Sequence, residues 1–462
     1  MKGFLGAHSE WNLGSPGGWD YMHTTERIAK VTWDTLNRIA PTGLDLDFDH
    51  PQLHPVLGLS TMLLEIHRRR EGSNPGLIAV TAEEETLEDV TENINLAKRM
   101  DSAEGITGVL AAPGEFELRN GVVCHQGRPV SLIFMDFNND VFLRLHRKQD
   151  LSPLIQAVRE NRVLNPRGTE PINVKSMFEV ITGSHSKRFD PETVKRTPWT
   201  RRFYPRSTDG PDGKIINDLE EWTRQNWQDL VLKPERGYSG IGVKVGHVHP
   251  DADEAIDLAL RDGHYIVQSR VDLNLWAEDM PEIDSEGVVS LRRRQTDFRC
   301  LLGPGTVFGF LGRFGDVPTN VGSGGGVQPL AILRTKIPSG EAVRKLNHTL
   351  THLAPSDLAA LEHRQQEMAV ESRFTYINGP IPIALRPRLV TPSQIVALER
   401  YCRAMWADCL TLEKMWHAGE LDSYIDIEEE ELAIARLQLW NGGPAIFAAD
   451  GLFSFGAHPE VP

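Results

Sequence analysis

Cysteine is scarce in this sequence. Only four cysteines occur in 462 residues, and no two of them form a Cys-x-x-Cys pair. A disulfide framework and the common zinc sites both need cysteines at close, regular spacing. The sequence therefore argues against both and is typical of the reduced thiols of a cytoplasmic protein. The four residues are Cys124, Cys300, Cys402 and Cys409.

Positive charge and long apolar runs are also in short supply. The chain has 49 lysines and arginines but 64 aspartates and glutamates, which gives a net charge of −15. General nucleic-acid binders are usually basic, so no nucleic-acid partner is expected. No run approaches the roughly 18 apolar residues of a membrane span, and MKGFLGAHSEWN lacks the apolar core of a signal peptide. We expect a soluble, cytoplasmic protein with no membrane partner.

Several widespread motifs are missing as well. No Gly-x-Gly-x-x-Gly follows a strand pattern, and no Gly-Lys-Ser/Thr closes a glycine-rich loop. These absences argue against a dinucleotide site and a P-loop. Neither Gly-x-Ser-x-Gly nor His-Glu-x-x-His occurs, which leaves no signature of a hydrolase nucleophile or a zinc protease. The length allows two or three domains with a substantial core.

The part of the chain after Gly76 has an α/β pattern. Leu77–Ala82, Ile106–Ala112 and Ser131–Phe137 are apolar runs of strand length, and Leu87–Met100 has the periodicity of an amphipathic helix. Alternation of this kind predicts a small α/β domain with a largely parallel sheet. Further helices are predicted over residues 24–39, 60–70, 151–161, 252–260, 342–365, 393–418 and 425–439.

The sequence DLVLKPERGYSGIGVKVG, residues 229–246, predicts a glycine-rich hairpin. Strand-like residues flank a loop in which Gly237, Gly240 and Gly242 leave the backbone without side-chain bulk. Backbone N–H groups of such a loop can reach phosphate oxygens. Lys233, on the strand just before the loop, would add an ammonium group at the same place. An ordinary glycine-rich hairpin is the alternative.

A second hairpin is predicted over residues 296–330, around Gly303-Pro304-Gly305. If residues 302 and 306 pair, Arg299 lies opposite Gly309 and Asp297 lies opposite Leu311. Arg313 then shares one face with Asp297 and Arg299. Two guanidinium groups on one face need an anion, and their paired donors match a phosphate. A surface ladder of salt bridges is the alternative.

Two polar segments complete the candidate site. Asn320 and the glycine-rich run at residues 322–326 follow the second hairpin and supply a donor and an accessible backbone turn. Glu10 and Asn12 are two residues apart, so both side chains would point to one face of a strand. Carboxylate and amide oxygens suit a hard cation such as Mg²⁺; a polar loop is the alternative.

Taken in order, these segments resemble the ATP-grasp ligases of the glutathione-synthetase-like group. Lys175 precedes a short predicted helix, Lys233 follows it upstream of the glycine loop, and an Asp-x-Arg…Arg…Asn…Gly-Gly order follows. The resemblance implies that ATP is held by both lysines, the loop and an adenine-reading hinge at the strand end Gln268 to Val271. It also implies that Arg313, Arg299 and Asn320 are catalytic. Its nucleotide-binding set is Lys175, Lys233, Gly237, Tyr238, Ser239, Gly240, Gly242, Gln268 and Val271.

One departure from that family is the missing metal segment after the Gly-Gly run. Asp450 instead lies near the C-terminus, and Glu10-Trp11-Asn12 lies near the N-terminus. Joined end to end, the two ends resemble the metal-binding segments of glutathionylspermidine-synthase-like, circularly permuted ATP-grasp proteins. This implies a Mg²⁺ site made of Asp450, Glu10 and Asn12, with the two termini close together. In those relatives the metal strands come first in the chain, and Met368 resembles the start that such a relative would have.

The resemblance also implies a fold and an activity. The fold class would be α/β and α+β, an ATP-grasp fold with an N-terminal Rossmann-like domain. Residues 1–160 would form that domain, with the metal strand at 8–14. Residues 161–367 would form the nucleotide-binding core, and residues 368–462 would form the segment that completes the fold and the metal site.

The activity that the resemblance implies is Mg-dependent ligation of a small-molecule or peptide carboxylate to an amine through an acyl-phosphate, with ATP as cosubstrate. A small-molecule kinase and a non-catalytic nucleotide-binding protein remain alternatives, and a homodimer is one option for the oligomeric state.

Overall fold

A computed structural model gives the architecture of the chain. It describes residues 5–237, 240–271, 277–284, 288–316, 319, 321–376, 379–438 and 446–454. Three predicted site residues, Tyr238, Ser239 and Asn320, lie outside the described residues. Within these ranges, no helix has the length and apolar character needed to cross a membrane.

Thirteen α-helices are found in the described residues, and they are labelled in chain order. They are α1 (Trp19–Ile39), α2 (Pro55–Glu71), α3 (Thr91–Asp101), α4 (Asn139–His146), α5 (Ser152–Arg159), α6 (Met177–Thr182), α7 (Pro191–Arg196), α8 (Leu219–Gln225), α9 (Ala252–Asp262), α10 (Ser339–Thr351), α11 (Pro355–Glu371), α12 (Pro392–His417) and α13 (Glu429–Leu437).

The strands of the same ranges are labelled likewise. The first half of the chain holds β1 (Leu5–Asn12), β2 (Leu46–Asp47), β3 (Gly76–Thr81), β4 (Ile106–Ala111), β5 (Phe116–Arg119), β6 (Val122–His125), β7 (Arg128–Pro129), β8 (Leu132–Met135), β9 (Val163–Leu164), β10 (Thr200–Arg202), β11 (Thr208–Asp209) and β12 (Ile215–Ile216). The second half holds β13 (Leu230–Pro234), β14 (Lys244–Val245), β15 (Tyr265–Ser269), β16 (Glu278–Ile283), β17 (Val289–Gly303), β18 (Thr306–Gly315), β19 (Gly326–Gln328), β20 (Leu330–Leu333), β21 (Thr375–Tyr376), β22 (Gly379–Pro380), β23 (Arg388–Val390) and β24 (Phe447–Ser454).

The predicted α/β unit forms around a parallel sheet. Its strand order is β4-β3-β8-β9, and all three pairings are parallel. The strands are nearly continuous apolar runs because helices cover the sheet and bury it. Met100 of α3 and Leu63 of α2, for example, pack in one core with Ile78 and Val80 of β3. The strand–helix–strand pattern therefore predicted this sheet correctly.

The glycine-rich hairpin belongs to a small antiparallel sheet with the order β10-β15-β13-β14. Its two predicted strands pair, with Val231 opposite Val245. Helices α8 and α9 contribute Leu219 and Ile256 to a core behind this sheet. The side chains of the sheet's other face are thereby left free to line a pocket.

A six-stranded sheet joins the two ends of the chain. Its main path is β1-β24-β17-β18-β19, and β16 extends β17. Strands β1 and β24 pair antiparallel along their length, with Leu5 opposite Ser454 and Glu10 opposite Asp450. Because β24 also pairs with β17, it lies inside the sheet with a hydrogen-bonded neighbour on each side.

The register predicted for the second hairpin was wrong. Gly303 pairs with Thr306 across a two-residue turn, and a bulge follows between Leu301 and Leu302. Relative to the predicted pairing of residues 302 and 306, the two-residue turn shifts the register by one residue, and the bulge shifts it by one more. Asp297 therefore lies opposite Arg313, and Arg299 opposite Leu311. The total shift is even, so the prediction that Asp297, Arg299 and Arg313 share one face is confirmed.

The single helix predicted over residues 342–365 was also wrong. The segment contains α10 and α11, which are separated by residues 352–354. Pro355 disfavours helical backbone at Ala354 and cannot continue the hydrogen bonding of α10, but it is well suited to the first position of α11. Helix α11 runs through the boundary placed between residues 367 and 368, so Met368 lies within a continuous helix.

Glu26 of α1 is a buried acid whose titration should be visible in stability. One carboxylate oxygen accepts a hydrogen bond from the backbone N–H of Leu330 at 2.6 Å, and the other has no partner within the described residues. Burial raises the pKa of Glu26 well above 4.5. The folded state therefore binds the proton more tightly than the unfolded state. The contribution of Glu26 to the free energy of unfolding is fully present at low pH, and it is lost as the pH rises through the folded-state pKa.

Glu26→Gln is expected to raise the melting temperature at pH 8, because the amide oxygen keeps the hydrogen bond and the buried charge is gone. The gain should shrink at pH 5, where the wild-type carboxyl group is protonated. Thermal unfolding at the two pH values measures this. Glu65→Gln, at an exposed position of α2, is the control; a variant at Glu26 that is less stable than wild type at pH 8 would contradict the expectation.

Candidate functional site

A pocket lies between the glycine-rich hairpin and the six-stranded sheet. We call it the hairpin pocket; its empty space, including the part open to solvent, is about 1100 Å³. Apolar side chains of the hairpin form one side of the pocket. Charged side chains of the six-stranded sheet, together with Lys175 just before α6, form the other side. The residues that line it are Ser9, Glu10, Lys175, Val231, Lys233, Pro234, Gly237, Gly240, Ile241, Val243, Val245, Gln268, Ser269, Arg270, Val271, Gln295, Asp297, Arg313, Thr319 and Asp450.

Both predicted lysines reach this pocket. Lys175 Nζ lies 3.1 Å from Glu10 Oε1 and donates to the carbonyl of Gly237 at 3.0 Å. Lys233 Nζ donates to the carbonyl of Ser9 at 3.3 Å. Burial lowers the pKa of Lys233 to about 8, an effect that the carboxylate of Glu10 only partly offsets. The two ammonium groups thus face the same space from two different elements.

Gln268 lies in the pocket, but its side chain bonds to protein groups. Its Oε1 accepts a hydrogen bond from Lys233 Nζ at 2.8 Å, and its Nε2 donates to Thr200 Oγ1 at 2.9 Å. These two bonds fix the amide and hold the lysine. Val271, two residues beyond the end of β15, also lines the pocket.

The hairpin carries the backbone conformations that its glycines were expected to supply. Gly237, Gly240 and Gly242 have φ values of 136°, 74° and 76°. Side chains larger than hydrogen are strained at such angles. At Gly242 an added Cβ would also lie 2.8 Å from Cγ of Pro234. These three positions therefore favour glycine for steric reasons, and Gly237 and Gly240 bring backbone without side chains to the pocket.

The two chain ends bring Glu10 and Asp450 together. They are opposite each other in the β1–β24 pair, which brings two carboxylates to one place. Arg299 binds Asp450 with two parallel bonds, from Nε to Oδ1 at 2.6 Å and from Nη2 to Oδ2 at 2.7 Å. The pKa of Asp450 falls to about 2: burial would raise it, but the charges of Arg299 and Arg313 outweigh that effect.

Arg313 is the centre of a charged cluster that also contains Asp297, Arg299 and Asp450. It binds Asp297 through Nε at 2.8 Å and Nη2 at 2.7 Å, and its Nη2 also lies 3.2 Å from Asp450 Oδ2. Thr319 Oγ1 donates to the same Asp297 carboxylate at 2.5 Å. Arg313 is only 5% exposed, so the alternative of a surface ladder does not apply to it. Burial would lower the pKa of Arg313, but the carboxylates of Asp297 and Asp450 outweigh that effect and raise it.

The oxygen ligands suggested for a cation are also close together. Glu10 and Asp450 supply carboxylates, and Asn12 lies two residues from Glu10 on β1. In the described ranges, no three His, Cys, Asp or Glu side chains converge on one cation position. A site of one or two carboxylates that leaves room for phosphate and water oxygens is what Mg²⁺ favours. The donor set fits Mg²⁺ better than a metal that needs a full protein cage.

A second pocket continues from the same cluster. We call it the sheet-edge pocket, because it extends from Glu10, Arg313 and Asp450 to the carboxyl ends of β3 and β8. Its empty space is about 1420 Å³, including the part open to solvent. Glu92 and Asp136 line its far part. Sequence reasoning missed both. Asp136 lay near the end of the predicted strand Ser131–Phe137, and in the structure it directly follows β8, at the strand end where ligand-binding side chains commonly lie.

Comparison with known proteins adds little. No protein-family model matches the sequence, and no curated protein matches it. Among solved structures, the crystal structure of D-alanine–D-alanine ligase from Bacillus anthracis is similar over 62% of this chain and 79% of that chain, with 10% sequence identity and a TM-score of 0.28. A TM-score this low supports no conclusion about family or activity.

Proposed function

We propose that the chain is an ATP-dependent carboxylate–amine ligase of the ATP-grasp type. The observation that carries the proposal is the meeting of Lys175 and Lys233 with the Glu10–Asp450 pair in one pocket beneath a glycine-rich hairpin. This order of parts along the chain is the one on which the sequence resemblance rests. Glu10 and Asp450 come to this pocket from opposite ends of the chain.

The hairpin pocket supplies what a nucleoside triphosphate needs. Val231, Val245 and Val271 give an apolar surface for a base. The two ammonium groups offer charge to its phosphates, and the glycine loop adds backbone donors. Magnesium bound by Glu10, Asp450 and Asn12 would neutralise phosphate charge during transfer.

Arg313 and Arg299 would act where charge develops. In the proposed reaction, a carboxylate oxygen of the donor attacks the γ-phosphorus, ADP leaves, and an acyl-phosphate forms. The amine nitrogen then attacks the acyl carbon, phosphate leaves, and the nitrogen loses one proton. Both steps place negative charge on oxygens beside the arginines, and fixed donors lower such barriers without rearranging.

The arrangement of the chain would be a permuted one. The metal strands β1 and β24 are neighbours in space but opposite ends in sequence. Residues 1–160 would serve as the domain that precedes the nucleotide core in unpermuted relatives. Residues 161–367 and 368–462 would supply the core and the segment that completes it.

Oxygen transfer tests the proposal directly. We expect ADP release only when a carboxylate and an amine are both present, over a panel of amino acids, dipeptides and amines. With an ¹⁸O-labelled carboxylate, one label should appear in the released phosphate, because that oxygen bridges carbon and phosphorus in the acyl-phosphate. ADP release without an amine, with a stable phosphorylated product, would indicate a kinase instead. ATP binding without ADP release from any pair would favour a non-catalytic protein.

A further inference from the structure

The sheet-edge pocket has an uneven distribution of charge. At its near end, Arg299 and Arg313 lie against Asp450. Its far part is lined by Glu83, Glu92 and Asp136. Among the described residues that line the far part, none is a lysine, arginine or histidine. A group that enters the far part therefore meets acidic side chains and, among the described lining residues, no cationic one.

Among the described residues, backbone N–H groups at the start of α1 are already hydrogen-bonded to a protein carboxylate. Helix N-termini attract anions through their unpaired N–H groups. Here the carboxylate of Glu92 already accepts bonds from the N–H groups of Gly18 at 2.8 Å and Asp20 at 2.7 Å. A protein carboxylate has taken the position that a ligand carboxylate would need.

Asp136 remains available to a ligand among the described acids of the far part. One of its oxygens accepts a hydrogen bond from Asn93 Nδ2 at 2.7 Å. Within the described part of the chain, no lysine or arginine forms an ion pair with it, whereas Glu83 is paired with Arg144. Burial raises the pKa of Asp136 to about 6. A half-buried carboxylate without a cation is unfavourable, and a bound cation would relieve that cost.

An unpartnered donor marks the near end of the same pocket. Asn12 lines it, and its Nδ2 is buried without a hydrogen-bond partner in the described ranges. Buried donors of this kind normally find an acceptor. The pocket thus offers a donor beside the charged cluster and a carboxylate at the opposite end.

We propose that the sheet-edge pocket holds a substrate by an ammonium group that does not react and that pairs with Asp136. The reacting group of the same substrate lies beside Arg299 and Arg313. The assignment of a reacting group rests on the proposed ligase function. Two kinds of substrate carry such an ammonium: an acceptor with a second amine, and a donor carboxylate that bears an amino group. Both use the same recognition chemistry at Asp136.

Binding to the full-length protein distinguishes the two sources. With Mg-ADP present, dissociation constants are measured by calorimetry for two matched pairs: 1,4-diaminobutane against 1-aminobutane, and 4-aminobutyrate against butyrate. We expect the probe with the extra ammonium to bind at least about tenfold more tightly in one pair, a ratio that one ion pair can supply. The pair that discriminates identifies the substrate with the ammonium.

Asp136→Asn should remove that discrimination, and Asp136→Glu should restore part of it. In wild type, affinity for the preferred probe should fall between pH 7 and pH 5, because burial raises the pKa of Asp136 to about 6 and that of Glu92 in the same pocket to about 7, so both become protonated. The Asn variant should lose the part of this dependence that Asp136 contributes. Asp140→Asn, an exposed acid four residues away, is the matched control. Mg-ADP affinity should stay unchanged in all three variants.

Two results would overturn the assignment. One is equal binding of both members in each pair by wild type, and the other is unchanged discrimination in Asp136→Asn. These measurements need no turnover, so they separate this proposal from the ligase function. If the probes discriminate but no substrate pair releases ADP, the ammonium site stands and the ligase function fails.

Discussion

Replacement of Arg313 by alanine is expected to abolish turnover while leaving most of the affinity for ATP. The guanidinium group lies where the hairpin and sheet-edge pockets meet, 3.2 Å from Asp450. At that place it would stabilise the transferring phosphoryl group more than the bound nucleotide. Loss of one such donor typically lowers the rate by about 10²–10³-fold. ADP release and Mg-ADP affinity, measured on the same preparation, check the expectation.

The buried setting of Arg313 requires a second variant. Removing the guanidinium group leaves the carboxylates of Asp297 and Asp450 facing each other with one cation fewer, and breaking a buried pair commonly costs about 3–5 kcal/mol. Arg313→Lys keeps the charge but loses the paired bonds to Asp297, so it should fold better and still turn over slowly. The melting temperature of each variant separates loss of fold from loss of chemistry.

Arg294→Ala is the matched control for Arg313. Arg294 lies on β17 and pairs with Glu282 and Asp316, outside both pockets. We expect it to retain turnover and nucleotide affinity. If Arg313→Ala lost nucleotide affinity and turnover in equal proportion while its melting temperature held, the assigned role in phosphoryl transfer would be wrong.

Local patterns predicted the elements that carry the site, because strand and glycine signals depend on neighbours in the chain. The hairpin after Asp229 and the common face of Arg299 and Arg313 are examples. The pairing of Glu10 with Asp450 was reached only through the resemblance to a permuted family. Composition and periodicity carry no information about two strands 440 residues apart.

Contacts between strands were harder to predict. Gln268 was expected at an adenine-reading hinge, and the pairing of β15 with β13 was not known. Lys233 lies opposite Ile266, so Gln268 is its diagonal neighbour. Long side chains reach each other across such a diagonal, and the glutamine binds the lysine amine. Strand register is set by distant turns and packing, which short patterns do not contain.

Lys233→Met is expected to weaken ATP binding by about 10–100-fold. The ammonium group has no carboxylate partner within 4 Å among the described residues, so its charge is available to a phosphate. Hydrogen bonds to charged groups contribute about 1.5–3 kcal/mol, which gives that range. Lys244→Met, on the returning strand of the same hairpin, lies outside the pocket and should leave affinity unchanged. Calorimetry with Mg-ATP measures both.

The pH dependence of the wild type distinguishes a phosphate-binding lysine from a structural one. Burial places the pKa of Lys233 near 8, and only the protonated form attracts phosphate. Affinity for Mg-ATP should therefore be constant below pH 7 and fall as the pH rises from 8 to 9.5. Lys233→Arg, which keeps its proton throughout, should flatten that profile.

The stability of the apo protein should change with pH in the opposite direction. The pKa of Lys233 is lower in the folded state than in the unfolded state, so the unfolded chain binds more protons above pH 8. The folded apo protein therefore gains stability as the pH rises above 8. A wild-type affinity that stays constant across this window would show that Lys233 does not carry the charge that holds the phosphates.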